Sequence, residues 1–474
     1  MSTAAQEFLR AATEESADFP RRKALQHAVD QYDAAVRRGR KQFLDYETAR
    51  QKCHDIKWEA LNHLDKYLLQ FEERVKARGG HVVWAESAED ARCYIADLAT
   101  QRGVRTVVKS KSMVTEEIHL TPALEKLGMR VFETDLGEFI VQLRNEPPFH
   151  IVTPAMHLTR ADIAKLFHEK LADVMPPGRS TDDPAELVAA ARRALRRAFF
   201  SAEMAITGTN FLVADAGMIA ITTNEGNDRL GTAVPRIHVA IAGIEKVIPR
   251  IEDLATLWPV LATAGTGQTI TCYNSLIGGP RASKEIDGPE EFHVVLLDNG
   301  RTDLLADAEQ RDVLHCIRCG SCLNACPVFR TIGGHAYGTT YSGPIGSVLT
   351  PHLRGLDEFQ HLSYASSLCG ACTSVCPVKI DLHHHLLHNR RNAERAGDRP
   401  WGEHARFKLW RWMMASSRRF AAAGALGRAA LRVLYSVGLG GTPLDPLRAW
   451  TKYRAAPAIP RKSFRSMWRA NVGR

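Results

Sequence analysis

A parallel α/β domain, preceded by a helical extension and followed by a smaller α-helical domain and a basic helical tail, is predicted by three observations. Apolar strand-like runs and helical stretches alternate strictly between residues 81 and 153, the pattern of a parallel sheet covered on both faces. Seven of the ten cysteines fall between Cys316 and Cys376, which marks a separate unit. From residue 401 onward, 15 Lys/Arg face two acids, a net of +13, leaving 47 basic and 51 acidic residues, or −4, in the first 400. All the excess positive charge of this +9, 474-residue chain therefore lies in its last part, and the length calls for about three domains.

Residues 1–78 form the helical extension, because Leu68, Leu69, Phe71 and Val75 recur at helical spacing and Gly79-Gly80 supplies a stop. The α/β domain is expected over 79–300. Its units are a strand at 81–85, a helix at 87–102, a strand at 104–109, a helix at 121–127, a strand at 129–133, a helix at 136–143 and a strand at 150–153. The short β-rich segments 211–215, 218–223 and 237–241, separated by glycine, are expected to extend the same sheet. The cysteine-bearing domain spans 301–392 and the basic aromatic region 393–474.

Polar residues cluster where the strands should end, on the crevice side of an open α/β sheet. These are Lys109-Ser110-Lys111-Ser112, Glu133 to Glu138, His150 and His157, Thr207-Gly208-Thr209-Asn210 and Thr223 to Asn227. Taken singly, each suits a turn or a helix cap; as a group they mark a ligand cleft. No residue set forms an obvious base with a hydride acceptor, so catalytic residues stay unassigned, and His150 or His157 qualifies as a base by residue type alone. A GxGxxG dinucleotide turn and a P-loop are both absent.

The cysteine runs are Cys316-x2-Cys319-x2-Cys322-x3-Cys326-Pro327 and Cys369-x2-Cys372-x3-Cys376-Pro377. Two-residue gaps let one loop present three thiolates to one iron-sulfur cube, and the fourth cysteine, followed by proline, reaches the neighbouring cube. On that rule Cys316, Cys319, Cys322 and Cys376 hold the first cluster, and Cys326, Cys369 and Cys372 the second, both expected to be 4Fe-4S. The second is one thiolate short, because Ser366 stands where its run should begin. Ser366 as fourth ligand, a 3Fe-4S cluster, or an iron left open to a small ligand all satisfy the letters. Zinc is disfavoured, since a four-cysteine run overshoots its paired spacing. Disulfides are disfavoured by the absence of a secretory signal, so a reducing, cytoplasmic setting is expected. Cys53, Cys93 and Cys272 are single and are expected to be buried structural thiols. His383-His384-His385 with His388 is expected to open a helix beside the second cluster rather than to bind metal.

Several motifs in one order carry a resemblance: Glu133-Thr-Asp-Leu-Gly-Glu138, Thr223-Asn-Glu-Gly-Asn227, Gly243-Ile-Glu-Lys246, Leu297-Asp-Asn-Gly-Arg301, Cys316-Ile-Arg-Cys-Gly320, Tyr341-Ser-Gly-Pro-Ile-Gly346 and Leu368-Cys-Gly-Ala-Cys372. Together they resemble the lactate utilization protein B family, the iron-sulfur subunits of a bacterial lactate oxidation system. The resemblance covers about residues 60–400, with a family-like basic region beyond. It implies a lactate-utilization domain similar to the NagB/RpiA/CoA-transferase fold, fused to a two-cluster ferredoxin-like domain. It also implies two companions, a CCG-motif cysteine-rich subunit and a small lactate-utilization-domain subunit, and growth on L-lactate by its oxidation to pyruvate. An electron-relay subunit of that system is the function expected; the competing expectation is a redox-sensing assembly or regulatory protein without turnover of its own.

The tail interleaves Trp401, Phe407, Leu409, Trp410, Trp412, Met413 and Met414 with Arg406, Lys408, Arg411, Arg418 and Arg419. A basic helix with an aromatic side suits either peripheral contact with the inner face of an anionic membrane or packing on protein, and a membrane quinone pool is the acceptor it points to. Nucleic acid is not expected, because no binding module accompanies the charge.

Overall fold

The computed structural model describes residues 2–175, 181–396, 401–451, 454–455 and 458–472, and of the helix beginning at Trp401 the side chains of Trp401 and Glu403 lie outside the described set. Residues up to Arg395 form one compact unit, and residues from Ala396 onward form a second.

Among the described residues there are ten strands: β1 (His81–Ala85), β2 (Thr106–Lys109), β3 (Arg130–Glu133), β4 (Met204–Gly208), β5 (Phe211–Val213), β6 (Met218–Thr223), β7 (Ile237–Gly243), β8 (Val247–Ile248), β9 (Tyr273–Ile277) and β10 (Glu291–Leu297). Six of them make a sheet of order β1-β10-β7-β4-β2-β3 in which every neighbouring pair is parallel. The predicted α/β class is thus present. β4 and β7 are buried along their whole length, the composition expected of strands covered on both faces. Between β1 and β2 runs the helix Ala88–Gln101, begun by a capping box in which Ser87 and Asp90 exchange hydrogen bonds.

Two expectations fail. Residues 211–223 do not extend the parallel sheet: β5 and β6 pair antiparallel across a turn at Gly217, and with β8 and β9 they build a separate four-stranded sheet. Residues 150–153 are not a strand but a turn. Pro147, Pro148 and Pro154 bracket it and remove ladder donors, while the Val152 and Thr153 N–H groups donate to His150 Nδ1 at 3.1 and 3.2 Å.

The extension consists of helices Thr3–Ala17, Phe19–Gly39, Tyr46–Asn62 and Leu64–Ala77. Leu68, Phe71 and Val75 are buried, whereas Leu69 faces solvent. These helices share one hydrophobic cluster with β5, β6 and the cysteine-bearing region, as Leu25, Phe71, Leu212, Cys322 and Leu386 all belong to it. In the second unit, helices Trp401–Met414 and Ser417–Ser436 leave Trp410, Trp412 and Leu426 exposed. No helix among the described residues is long and apolar enough to cross a membrane.

Candidate functional site

A parallel sheet brings the carboxyl ends of its strands to one edge, where open α/β folds bind ligands. A cavity of ≈ 580 Å³ lies there. Ser110 and Lys111 enter it from the end of β2, Asp135 from β3, Thr209 and Asn210 from β4, and Lys246 from beyond β7. Glu225 and Asp228 come from the segment after β6, and Arg318 and Cys319 of the cysteine-bearing region complete the wall. Four of the five polar clusters singled out in the sequence thus meet. Neither His150 nor His157 of the remaining cluster lines the cavity. Burial pushes His150 down to about 3 and His157, bonded to Glu146, down to about 4.

Charges in the cavity are divided. Burial and the nearby Asp135 carboxylate push Glu225 up to about 7 and Asp228 up to about 6, so both titrate near neutrality. Desolvation brings Lys246 down to about 8. Two buried polar atoms of cavity residues, Arg318 Nη1 and Asn227 Oδ1, have no hydrogen-bond partner among the described residues. The cavity wall thus carries the cations Arg318 and Lys246 together with the proton-exchanging carboxyls Glu225 and Asp228.

Lys109, Glu133 and Glu138 stand apart, in a buried charge cluster outside the cavity. Lys109 Nζ lies 2.9 Å from Glu133 Oε1 and 3.1 Å from Glu116 Oε1. Burial alone would neutralise Lys109, but Glu133, Glu116 and Glu138 hold it protonated.

A second network ties the cysteine-bearing region to the same sheet edge. Arg301 donates through Nε to Glu245 Oε2 at 2.6 Å and through Nη1 and Nη2 to Glu117 at 2.9 and 2.8 Å. Arg318 Nη2 donates to Glu245 Oε1 at 3.2 Å, and Tyr341 Oη donates to Glu117 Oε2 at 2.6 Å. Lys57 Nζ reaches the Glu245 carbonyl. Burial would raise Glu245, yet Arg301 and Arg318 bring it down to about 2. Four cations, Arg301, Arg318, Lys57 and Lys246, thus gather around two carboxylates, leaving positive charge beside Cys316. Sequence reasoning assigned no role to Arg301, Arg318, Glu117 or Glu245. The available signal was that the Gly243–Lys246, Leu297–Arg301, Cys316–Gly320 and Tyr341–Gly346 motifs all supply a member.

Cys316, Cys319, Cys322 and Cys376 surround one small cavity, lined otherwise by apolar groups such as Ile151, Ile317, Ile345, Val378 and Ile380. Thus the two runs interleave, with the last cysteine of the second completing the set begun by the first. Backbone N–H groups are aimed at the sulfurs: Arg318 N lies 3.4 Å from Cys316 Sγ, Ile380 N lies 3.3 Å from Cys376 Sγ, and Ile345 N–H faces Cys322. Ile345 belongs to the segment 333–350, which is rich in Gly, Tyr and Thr. Burial pushes the Cys319 thiol up to about 11 and Cys376 up to about 12, so a metal must displace protons to bind. Four soft donors, a dry lining and N–H donors to sulfur fit a cubane cluster.

Cys326, Cys369 and Cys372 form the second group: besides burial, Cys369 helps to raise the Cys326 thiol, and Cys326 and Cys369 both help to raise Cys372. Cys326 and Cys372 are buried and Cys369 is exposed. Ser366 lies in the loop leading to Cys369, its hydroxyl accepting from Leu368 N–H at 3.1 Å. His383 lies in the first turn of the helix Leu382–Ala396 and its Nδ1 lies 2.8 Å from Thr373 Oγ1, beside the second group as expected. Of the three single cysteines, Cys53 is buried, but Cys93 and Cys272 are exposed, contrary to expectation.

Three family models match in succession: the LUD domain over residues 68–297, the 4Fe-4S dicluster domain over 312–380, and the lactate utilisation protein B C-terminal region over 383–472. Lactate utilization protein B of Anoxybacillus flavithermus is 44% identical over 423 residues, 89% of this chain and 88% of its own. Lactate utilization protein B 2 of Bacillus mycoides and the Bacillus thuringiensis protein are each 43% identical over 426 residues, 90% of this chain and 89% of theirs. Among solved structures, a DUF162 family protein from Deinococcus radiodurans covers 49% of this chain and 98% of its own at 15% identity, with a TM-score of 0.27. With its dicluster domain, this is a protein of two iron-sulfur clusters. By identity over nine-tenths of its length and by three matching regions in order, the chain belongs to the lactate utilization protein B family.

Proposed function

We propose that this protein is the electron-relay subunit of a multi-subunit complex that oxidises L-lactate to pyruvate. Cys316, Cys319, Cys322 and Cys376 hold the first cluster; Cys326, Cys369 and Cys372 hold the second. Bound there, the clusters supply one-electron acceptors for a two-electron oxidation. The observation that carries the reading is the position of Cys319, which lies in the wall of both the ≈ 580 Å³ cavity and the small cavity ringed by four cysteines.

From that position each residue has a task. Arg318, with its free Nη1, and Lys246 attract and orient an anionic group in the larger cavity, close to Cys319. Glu225 and Asp228 are suited to accept protons there, because their affinities lie near neutrality. The excess cations around Glu245 and Glu117 favour added negative charge on the adjacent centre, and Ile345 and Ile380 N–H groups do the same at sulfur. Exposed Cys369 marks the side where a partner can take electrons away.

In this reading the chain divides into 1–78, 79–300, 301–392 and 393–474, the second part being NagB/RpiA/CoA-transferase-like. Its companions are a CCG-motif subunit and a small lactate-utilization-domain subunit. The exposed Trp410, Trp412, Phe464 and Trp468, interspersed with arginines, support peripheral attachment of the tail to an anionic cytoplasmic membrane face. To test the reading, the three subunits are purified without oxygen, mixed with L-lactate and frozen for electron paramagnetic resonance. Reduced-cluster signals together with pyruvate, dependent on all three, are expected. Iron-free protein that still sustains lactate consumption with its companions would overturn it.

A further inference from the structure

We infer that Ser366 is the fourth protein ligand of the second cluster, binding iron through its Oγ. The inference rests on the reading that the seven cysteines hold two clusters, and it is carried by a repeat in backbone geometry. Every position of the first run recurs 50 residues later: Cys316, Cys319, Cys322, Cys326 and Pro327 correspond to Ser366, Cys369, Cys372, Cys376 and Pro377.

The correspondence is conformational as well as sequential. Arg318 and Leu368, two residues after the first position of each run, both adopt left-handed backbone, with φ of 59° and 53°. Gly320 and Gly370 both have φ of 77°. Five-residue helices follow, Ser321–Ala325 and Ala371–Val375, and both end at a cysteine with ψ near 120°: 120° at Cys326 and 118° at Cys376. Side chains repeat too. The N–H of Arg318 donates to Cys316 Sγ at 3.4 Å, and the N–H of Leu368 donates to Ser366 Oγ at 3.1 Å. Ser366 Oγ therefore makes the same backbone contact within its loop that Cys316 Sγ makes in the four-cysteine ring.

Two further features suit an oxygen ligand. Arg390 donates to the Ser366 carbonyl at 3.1 Å and to the Ser363 carbonyl at 2.9 Å, fixing the strand of chain that carries the hydroxyl. The Leu368 N–H then stabilises negative charge on the oxygen as its counterpart does on sulfur. On binding, the hydroxyl O–H bond breaks, an Fe–O bond forms and the proton leaves to solvent across the partly exposed loop, with no change of oxidation state. Ser367 occupies the position of Ile317, the residue after the ligand, and its side chain hydrogen-bonds Cys369, so Ser367→Ala controls for loss of a hydroxyl that touches sulfur without being a ligand.

The test compares wild type, Ser366→Ala, Ser366→Cys and Ser367→Ala, all purified without oxygen, by iron and sulfide analysis with electron paramagnetic resonance and Mössbauer spectra. Wild type, Ser366→Cys and Ser367→Ala are expected to carry about eight irons, the content of two full cubes. Ser366→Ala is expected to lose about one iron and to show the oxidised-state signal of a three-iron cluster, with the first cluster's spectrum unchanged. An eight-iron Ser366→Ala protein with wild-type spectra would overturn the inference, as would a three-iron second cluster in the wild type. Wild-type protein lacking both clusters would instead overturn the cysteine reading on which it rests.

Discussion

Arg301 is 1% exposed, and its guanidinium is consumed by Glu117 and Glu245. Removing one partner from a buried ion network leaves uncompensated charge, so Arg301→Met is expected to cost about 3–5 kcal/mol in urea unfolding of the cluster-loaded protein. The same network sets an acid limit. Glu245 falls from its usual 4.5 to about 2 because Arg301 and Arg318 outweigh its burial. A depressed carboxylate contributes stability that is complete above the unfolded-state value and is lost as pH falls toward the folded one. Unfolding free energy should therefore drop between pH 4.5 and about 2, by on the order of 3 kcal/mol from this group. Urea midpoints measured across that range should show a weaker acid dependence for Glu245→Gln than for the wild type.

At the scale of elements, the interleaving of two short loops is the decisive arrangement. Each ends in a cysteine that lies with the other loop's thiols, Cys376 with the first group and Cys326 with the second, and the proposed ligation therefore predicts a crossed outcome. Cys376→Ala, in the second run, should change the first cluster's resonance signal and leave the second's unaltered; Cys326→Ala, in the first run, should do the reverse, each with loss of about one iron or more. Where β7 ends, Gly243 admits the ion network. A Cβ there would lie 2.0 Å from Glu245 Oε2 and 2.4 Å from Arg301 Nε. Gly243→Ala should accordingly destabilise by about 1–3 kcal/mol, visible as a lowered thermal midpoint, because the pair must shift to make room.

For the whole molecule, charge is divided between the first 400 residues, at −4, and the remainder, at +13. Attraction of the basic portion to anionic lipid should weaken as salt shortens the Debye length. Flotation with anionic vesicles is expected to carry intact protein upward at low ionic strength and to leave behind protein truncated at residue 396. Equal behaviour of the two would end the membrane proposal. The helices of the 1–78 segment share their apolar cluster with the cysteine-bearing region, so deleting them should expose both clusters to oxygen and shorten the lifetime of their absorbance in air.

Local pattern determined much of this protein. The cysteine spacing, the strand-helix alternation through Glu133 and the charged tail depend on residues near one another in sequence, and such signals survive without knowledge of partners. Tertiary structure alone decided the rest. Segment 211–223 has the same β-rich composition as β7, yet it joined another sheet because pairing is chosen by distant strands. Segment 150–153 has strand-like apolar residues, but flanking prolines and His150 Nδ1 turned it. Arg301, Arg318, Glu117 and Glu245 are scattered over 200 residues and become one network only when the parallel sheet brings their loops to a common edge. Charge pairing acts through space, and its cost and benefit appear only once burial has excluded water.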